Sequence, residues 1–159
     1  MYILLKLYLY YNRMKVCIFM PCTIEISKNS TLYKKRQLEL NNRLEQYKIG
    51  LKSILDYNKD SFKIYLSDNS NYFKKNNELT DMLNDIIIID DAPNKFGGKN
   101  KGAGIIEQWQ HSTDLLKTYD WIIHFEPRQC LVNNNFIDSL KNNFRNLFNV
   151  NKSQKKHHF

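Results

Sequence analysis

Apolar and polar positions alternate between two rhythms along the chain. From Met14, the run KVCIFMPCT (15–23) is apolar nearly throughout and stops at Pro21-Cys22-Thr23. A strand buried on both faces has this pattern. Leu40, Leu44, Tyr47, Leu51 and Ile54 then recur at helical spacing. They predict one apolar seam on a helix over 32–57, with Ser30 or Thr31 as its cap. Gly50 inside that helix costs about 1 kcal/mol relative to alanine, so a bend or a close contact is expected there. SFKIYLSDNS (61–70) reads as a second strand, closed by the turn formers Asp68, Asn69 and Ser70. A short helix near 77–83 leads to DIIIIDD (85–91), a third strand. After a glycine loop, a helix over 102–118 and the strand DWIIHFEP (120–127) follow. A last helix is predicted over 134–148, with Ile137, Leu140, Phe144 and Leu147 as its seam. Trp109 and Trp121 fall in apolar registers and read as core.

Four strands alternating with four helices predict one α/β domain with a mostly parallel sheet covered on both faces. Ligands of such sheets sit beyond the carboxyl ends of the strands. Those ends are Pro21-Cys22-Thr23, Asp68-Asn69-Ser70, Asp90-Asp91 and Glu126-Pro127-Arg128. The tight polar clusters therefore all fall on one edge. The plain alternative is that loops are polar wherever they occur.

Charge changes this picture less than its total suggests. The net charge is +8, but residues 1–24 and 140–159 carry eight basic side chains and no acid. The body between them is balanced, whereas a nucleic-acid surface needs a basic stripe on the folded body. No nucleic-acid partner is expected. Cys17, Cys22 and Cys130 make no disulfide framework, and the Cys17/Cys22 spacing without a companion Cys/His pair does not suit zinc. A reducing, cytoplasmic location is expected. The opening MYILLKLYLYYNR is interrupted by Lys6 and falls short of the ~20 apolar residues of a membrane span, so no integral membrane segment is expected. Residues 1–13 read as an extension ahead of a second start at Met14; an added edge strand and an anchor remnant are the other readings. Residues 14–150 form the domain and 151–159 a basic tail.

The loop GGKNKGAG (97–104) is neither common phosphate cradle. Ala103 and Gly104 stand where a P-loop has its lysine and hydroxyl, and Glu107 stands where the dinucleotide fingerprint has its third small residue. Gly102 and Gly104 still free the backbone to aim N–H groups outward at a helix start, and Lys99 and Lys101 add charge. An ordinary turn before a helix explains the glycines equally well.

Taken in order, VCIFMPCT, FKIYLSDNS, NKGAGIIEQW and YDWIIHFEPRQ resemble the nucleotide-diphospho-sugar half of GT-A glycosyltransferases, over about residues 14–148. The resemblance implies a Rossmann-like three-layer α/β sandwich that binds a nucleotide-diphospho-sugar and transfers the sugar to a sugar, glycan or protein acceptor. It implies that Thr23 and its neighbours line the nucleotide pocket and that Asp68 and Asn69 hold base and ribose. Asn100 and Lys101 would approach nucleotide and sugar. Glu107, one turn into the helix, would reach the sugar hydroxyls or serve only as a favourable helix-start charge. Glu126 falls in the last place of the acidic motif that holds Mn2+ or Mg2+ against the diphosphate. Such an ion offsets charge growing on the leaving group.

Two departures qualify the match. HFE places His124 where the motif has its first aspartate, leaving one carboxylate for a metal, and Arg128 can meet phosphate directly. Glu126 can equally be a surface acid paired with Arg128, and His124 a core histidine with one nitrogen satisfied. The acceptor-binding half, which usually carries the catalytic base, has no counterpart here. It is reduced, truncated or supplied by a partner. No residue is assigned as catalytic. A non-catalytic nucleotide-sugar-binding module and another kind of α/β interaction domain are the alternatives.

Overall fold

A computed structural model describes residues 14–26, 42–59, 61–76, 78–79 and 82–142. Its centre is a four-stranded parallel sheet in the order β3-β2-β1-β4. The strands are β1 (Val16–Cys22), β2 (Lys63–Asp68), β3 (Ile86–Ile89) and β4 (Trp121–His124). All seven residues of β1 are buried, as expected for the central strand of a sheet covered on both faces. The expected "mostly parallel" sheet is wholly parallel in all three pairings.

The helices lie on both faces. Alternate residues of each strand point to opposite sides, and they sort the core into two clusters. Ile18, Met20, Ile64 and Leu66 pack against Tyr47, Leu51 and Ile54 of α1 (Arg43–Asn58). On the other side, Cys17, Phe19 and Tyr65 pack against Trp109, Leu115 and Leu116. Those three lie on α2 (Lys101–His111) and α3 (Thr113–Leu116), which together link β3 to β4. A right-handed crossover from β1 outward to β2, and another from β3 back to β4, put helices on opposite faces in this way. Ile137 of α4 (Asn135–Asn142) is fully buried in the first cluster.

The predicted seam of α1 holds: Tyr47, Leu51 and Ile54 are nearly inaccessible, and Leu44 is partly so. Its predicted start, with Leu40 and the Ser30 or Thr31 cap, lies outside the described residues. The helix stops at Lys59, which is left-handed (φ 41°). Asn58 closes the turn: its Nδ2 donates to the Phe62 carbonyl at 2.8 Å, and its Oδ1 accepts from the Phe62 N–H at 3.1 Å.

Three expectations change. The helix predicted over 102–118 is broken at Ser112 into α2 and α3. The helix predicted near 77–83 is, in its described part, a turn at 78–79 and a 3-10 turn at Met82, whose N–H donates to the Leu79 carbonyl at 3.2 Å; residues 77, 80 and 81 lie outside the described residues. Trp121 is not core: it is 38% exposed, because β4 is an edge strand and Trp121 is its first residue. Trp109 is packed, edge-on to Phe19 with ring centroids 4.8 Å apart. Phe144, Leu147 and the basic tail lie outside the described residues. Among the described residues no helix is long and apolar enough to cross a membrane.

Candidate anion-binding edge

The strand order reverses direction between β1 and β4, and crevices at such switch points bind ligands. Register opens one here. The last β1–β4 pair is Phe19 with His124, while β1 continues to Cys22. Beyond that pair the chain after β4 bends away, and the backbone at the end of β1 needs other partners. Gln108 of α2 supplies one: its Oε1 accepts from the Cys22 N–H at 3.1 Å, and its side chain is 1% exposed.

Gln108 belongs to an inverted helix face. Gly104, Glu107 and Gln108 of α2 are buried, while Ile106 is 59% exposed. Glu107 accepts from two consecutive backbone N–H groups, Lys95 at 3.1 Å and Phe96 at 3.0 Å. It thereby clamps the loop before α2 onto its first turns. The glycines permit the approach: a Cβ on Gly104 would stand 2.7 Å from Gly97 Cα. Asn100 caps the helix, its Oδ1 accepting from the Ala103 N–H at 3.2 Å.

Asp68 is fully buried and ties the loops after β1 and β2 together. Its Oδ1 accepts from the Ile24 N–H (3.2 Å), the Ser70 N–H (3.2 Å) and the Ser70 hydroxyl (2.6 Å); its Oδ2 accepts from the Tyr72 N–H (2.9 Å). Next to it, Asn69 Oδ1 accepts from the Thr23 hydroxyl at 2.6 Å. Asn69 Nδ2 has no hydrogen-bond partner although the residue is 4% exposed, and it lies 3.6 Å from where a Gly104 Cβ would be.

Cations gather around this crevice. Arg43, the first residue of α1, donates to the Thr23 carbonyl through Nε (2.9 Å) and Nη2 (2.6 Å) and lies over the Tyr47 ring. Burial drives the Tyr47 hydroxyl well above its ordinary pKa, and Arg43 and Arg128 both pull it back, so both guanidinium groups act on one buried phenol. Lys101 Nζ is 2.6 Å from Glu126 Oε1, and Arg128 Nη2 is 3.2 Å from the same oxygen. Partial burial pushes the Glu126 carboxyl up, but Lys101 and Arg128 outweigh it and leave the group below its ordinary value. Arg128 also reaches Gln46 Oε1 at 3.5 Å. The turn bearing Glu126 and Arg128 lies directly on α1, since a Cβ on Gly50 would stand 2.8 Å from the Gln129 carbonyl oxygen and closer still to that of Pro127.

His124 is exposed and has one nitrogen satisfied, with Trp109 Nε1 donating to its Nδ1 at 3.3 Å and the rings stacked. Desolvation lowers its pKa, Glu126 raises it and Lys101 lowers it, for a net downward shift. With Nδ1 accepting from Trp109, the proton of the neutral ring belongs on Nε2.

The sequence-derived residues thus fall into two linked groups. Thr23, Asp68 and Asn69 form one, at the ends of β1 and β2. Lys101, Glu126 and Arg128 form the other, at the start of α2 and beyond β4. Tyr47 and the first turns of α2 join them. Asn100 caps the first turn of the same helix, and Glu107, further along it, faces the loop before it. Arg43, Tyr47 and Gln108 were not singled out as site residues. Tyr47 was read as seam, and Gln108 sits in an Ile-Ile-Glu-Gln run whose buried face the apolar residues do not announce. Among the described residues, no three His, Cys, Asp or Glu side chains are grouped to hold a metal ion. Comparison with family models, with curated proteins and with solved structures finds no match to this chain.

Proposed function

We propose that this domain binds the diphosphate of a nucleotide-diphospho-sugar in the crevice between the ends of β1 and β4, as the nucleotide-binding portion of a GT-A-type glycosyltransferase. One observation carries the reading: three cations from three different elements stand around the topological switch point, Arg43 on the Thr23 carbonyl past β1 and Lys101 and Arg128 sharing one oxygen of Glu126 past β4. Guanidinium and ammonium donors at a helix start suit phosphate oxygens. Thr23 and Asn69 flank the same edge, where a base and ribose would extend from the diphosphate.

A divalent ion fits this donor set poorly. Mn2+ and Mg2+ prefer several free oxygen ligands. Here Glu126, the carboxylate at the turn just past β4, is already held by two cations, which would also repel an incoming metal.

A second reading, donor binding without sugar transfer, has its own support. Asp68 and Glu107 are turned inward to backbone N–H groups, and Glu126 is ion-paired. None of the three is poised as a catalytic base.

Thermal unfolding in the presence of UDP, GDP, CMP and their sugars tests the reading. A bound nucleotide at a hundredfold excess over its Kd stabilises by about 2.7 kcal/mol, a rise of several degrees in Tm. Stabilisation with sugar transfer or donor hydrolysis supports the transferase; stabilisation without either supports the binding module. No shift with any nucleotide refutes both.

A further inference from the structure

Glu126 stands between two cations. One of its oxygens is shared by Lys101 Nζ at 2.6 Å and Arg128 Nη2 at 3.2 Å. The two cations come from opposite sides of the crevice: Lys101 opens α2, and Arg128 sits on the turn after β4 that leans on α1. A carboxylate and a phosphate compete for the same forked and ammonium donors. All three side chains keep some solvent access, at 57% for Lys101, 34% for Glu126 and 25% for Arg128. The carboxylate can therefore leave toward water while its partners stay in place.

We propose that Glu126 is an internal counter-ion which an entering diphosphate displaces, and that Lys101 and Arg128 then supply the charge a divalent metal would otherwise bring. This rests on the reading that the crevice takes a diphosphate. Without ligand, Glu126 keeps two nearby cations from repelling each other and holds them at the spacing of one shared oxygen. With ligand, phosphate oxygens replace that oxygen, and the second charge of a diphosphate compensates both cations without Glu126. The role is the reverse of a metal ligand's. A ligand to manganese helps the diphosphate bind, whereas a competing carboxylate hinders it.

The two roles predict opposite signs for one substitution. Inorganic pyrophosphate and UDP are titrated calorimetrically into the full chain, into Glu126→Gln and into Lys101→Gln, each in EDTA and in manganese. Glu126→Gln keeps the size and a hydrogen-bonding oxygen but removes the competing charge. It is expected to bind pyrophosphate in EDTA about fivefold more tightly than the parent. Lys101→Gln, at a well-exposed side chain, is expected to bind more weakly by a similar factor, and manganese to change little. Equal affinity of Glu126→Gln and parent overturns the proposal, as does binding that needs manganese and is lost in Glu126→Gln. Those results leave the crevice reading standing. If neither anion binds the parent or Glu126→Gln in either condition, the crevice reading falls and the proposal with it.

Discussion

Gly50→Ala tests how the site is held together, because two effects of known sign oppose each other there. In an isolated helix, alanine is more favourable than glycine by about 1 kcal/mol. In this protein the new methyl would stand 2.8 Å from the Gln129 carbonyl oxygen and closer still to that of Pro127, where ordinary contact begins near 3.4 Å. Both obstacles are backbone, so neither can rotate aside. The turn after β4 must move off α1 by more than half an ångström. Overpacking of this kind costs about 1–3 kcal/mol, and the rigidity of the obstacles argues for the upper part of that range. After the helical gain, a net loss of about 1–2 kcal/mol is expected, read as a lower urea midpoint at unchanged slope. A second tie crosses the same interface. The Ser53 hydroxyl donates to the Gly50 carbonyl at 2.7 Å and accepts from the Leu131 N–H at 3.0 Å. Gly50→Ala and Ser53→Ala loosen one contact, so their losses should combine to less than their sum. The displaced turn carries Arg128, so pyrophosphate affinity should fall as well. A Gly50→Ala protein as stable as the parent, or more so, refutes the claim that this glycine is there for the approach of the turn.

Asp68→Ala should destabilise by about 3–5 kcal/mol in the same unfolding assay, since it strands the Ile24 and Tyr72 N–H groups in a buried place at ~1–3 kcal/mol each. A loss under 1 kcal/mol would mean that those donors find other partners. The thiols should divide two to one. Burial pushes Cys17 up to about 11 and Cys22 well above its ordinary value, the latter chiefly by burial and further by Asp68, while Cys130 is exposed. At pH 8 the native protein should release one equivalent from a chromogenic disulfide reagent, and three once unfolded. Rapid release of three from the native protein would refute the packing assigned to β1.

The fold was largely legible because its signals are strong ones. A short continuous apolar run, Val16 to Met20, suits a strand buried on both faces, and the Leu44–Ile54 seam repeats often enough to fix which face of α1 points inward. The errors occurred where tertiary context outranks pattern. Trp121 reads as core by its apolar register, yet it opens the strand that, among the described residues, has a partner strand on one side only. In α2 the pattern reversed. Ile106 faces outward and Glu107 and Gln108 inward, because these two meet backbone rather than apolar side chains: Gln108 accepts from the Cys22 N–H at the end of β1, and Glu107 from the Lys95 and Phe96 N–H groups of the loop before the helix. The middle of a sheet offers side chains to pack against. Its end offers backbone N–H groups that have lost their strand partners, and a helix there must bring acceptors.

The same need decides the sign of the site. Three carboxylates were legible as candidates from their place at strand ends and the helix start: Asp68, Glu107 and Glu126. Sequence position could not tell which would face a ligand, because that depends on where unpaired N–H groups lie in three dimensions. Asp68 and Glu107 answer to the Ile24, Ser70, Tyr72, Lys95 and Phe96 amides and turn inward. Their charge is spent on the protein's own backbone. Among the described residues, Arg43, Lys101 and Arg128 meet no comparable backbone demand, apart from the Thr23 carbonyl that holds Arg43. The three carboxylates therefore part company: Asp68 and Glu107 face backbone amides, and Glu126 alone of the three stands between cations. On the proposed reading, a crevice in which two cations share that carboxylate would favour a ligand with more than one negative charge, since a single charge would only exchange places with Glu126.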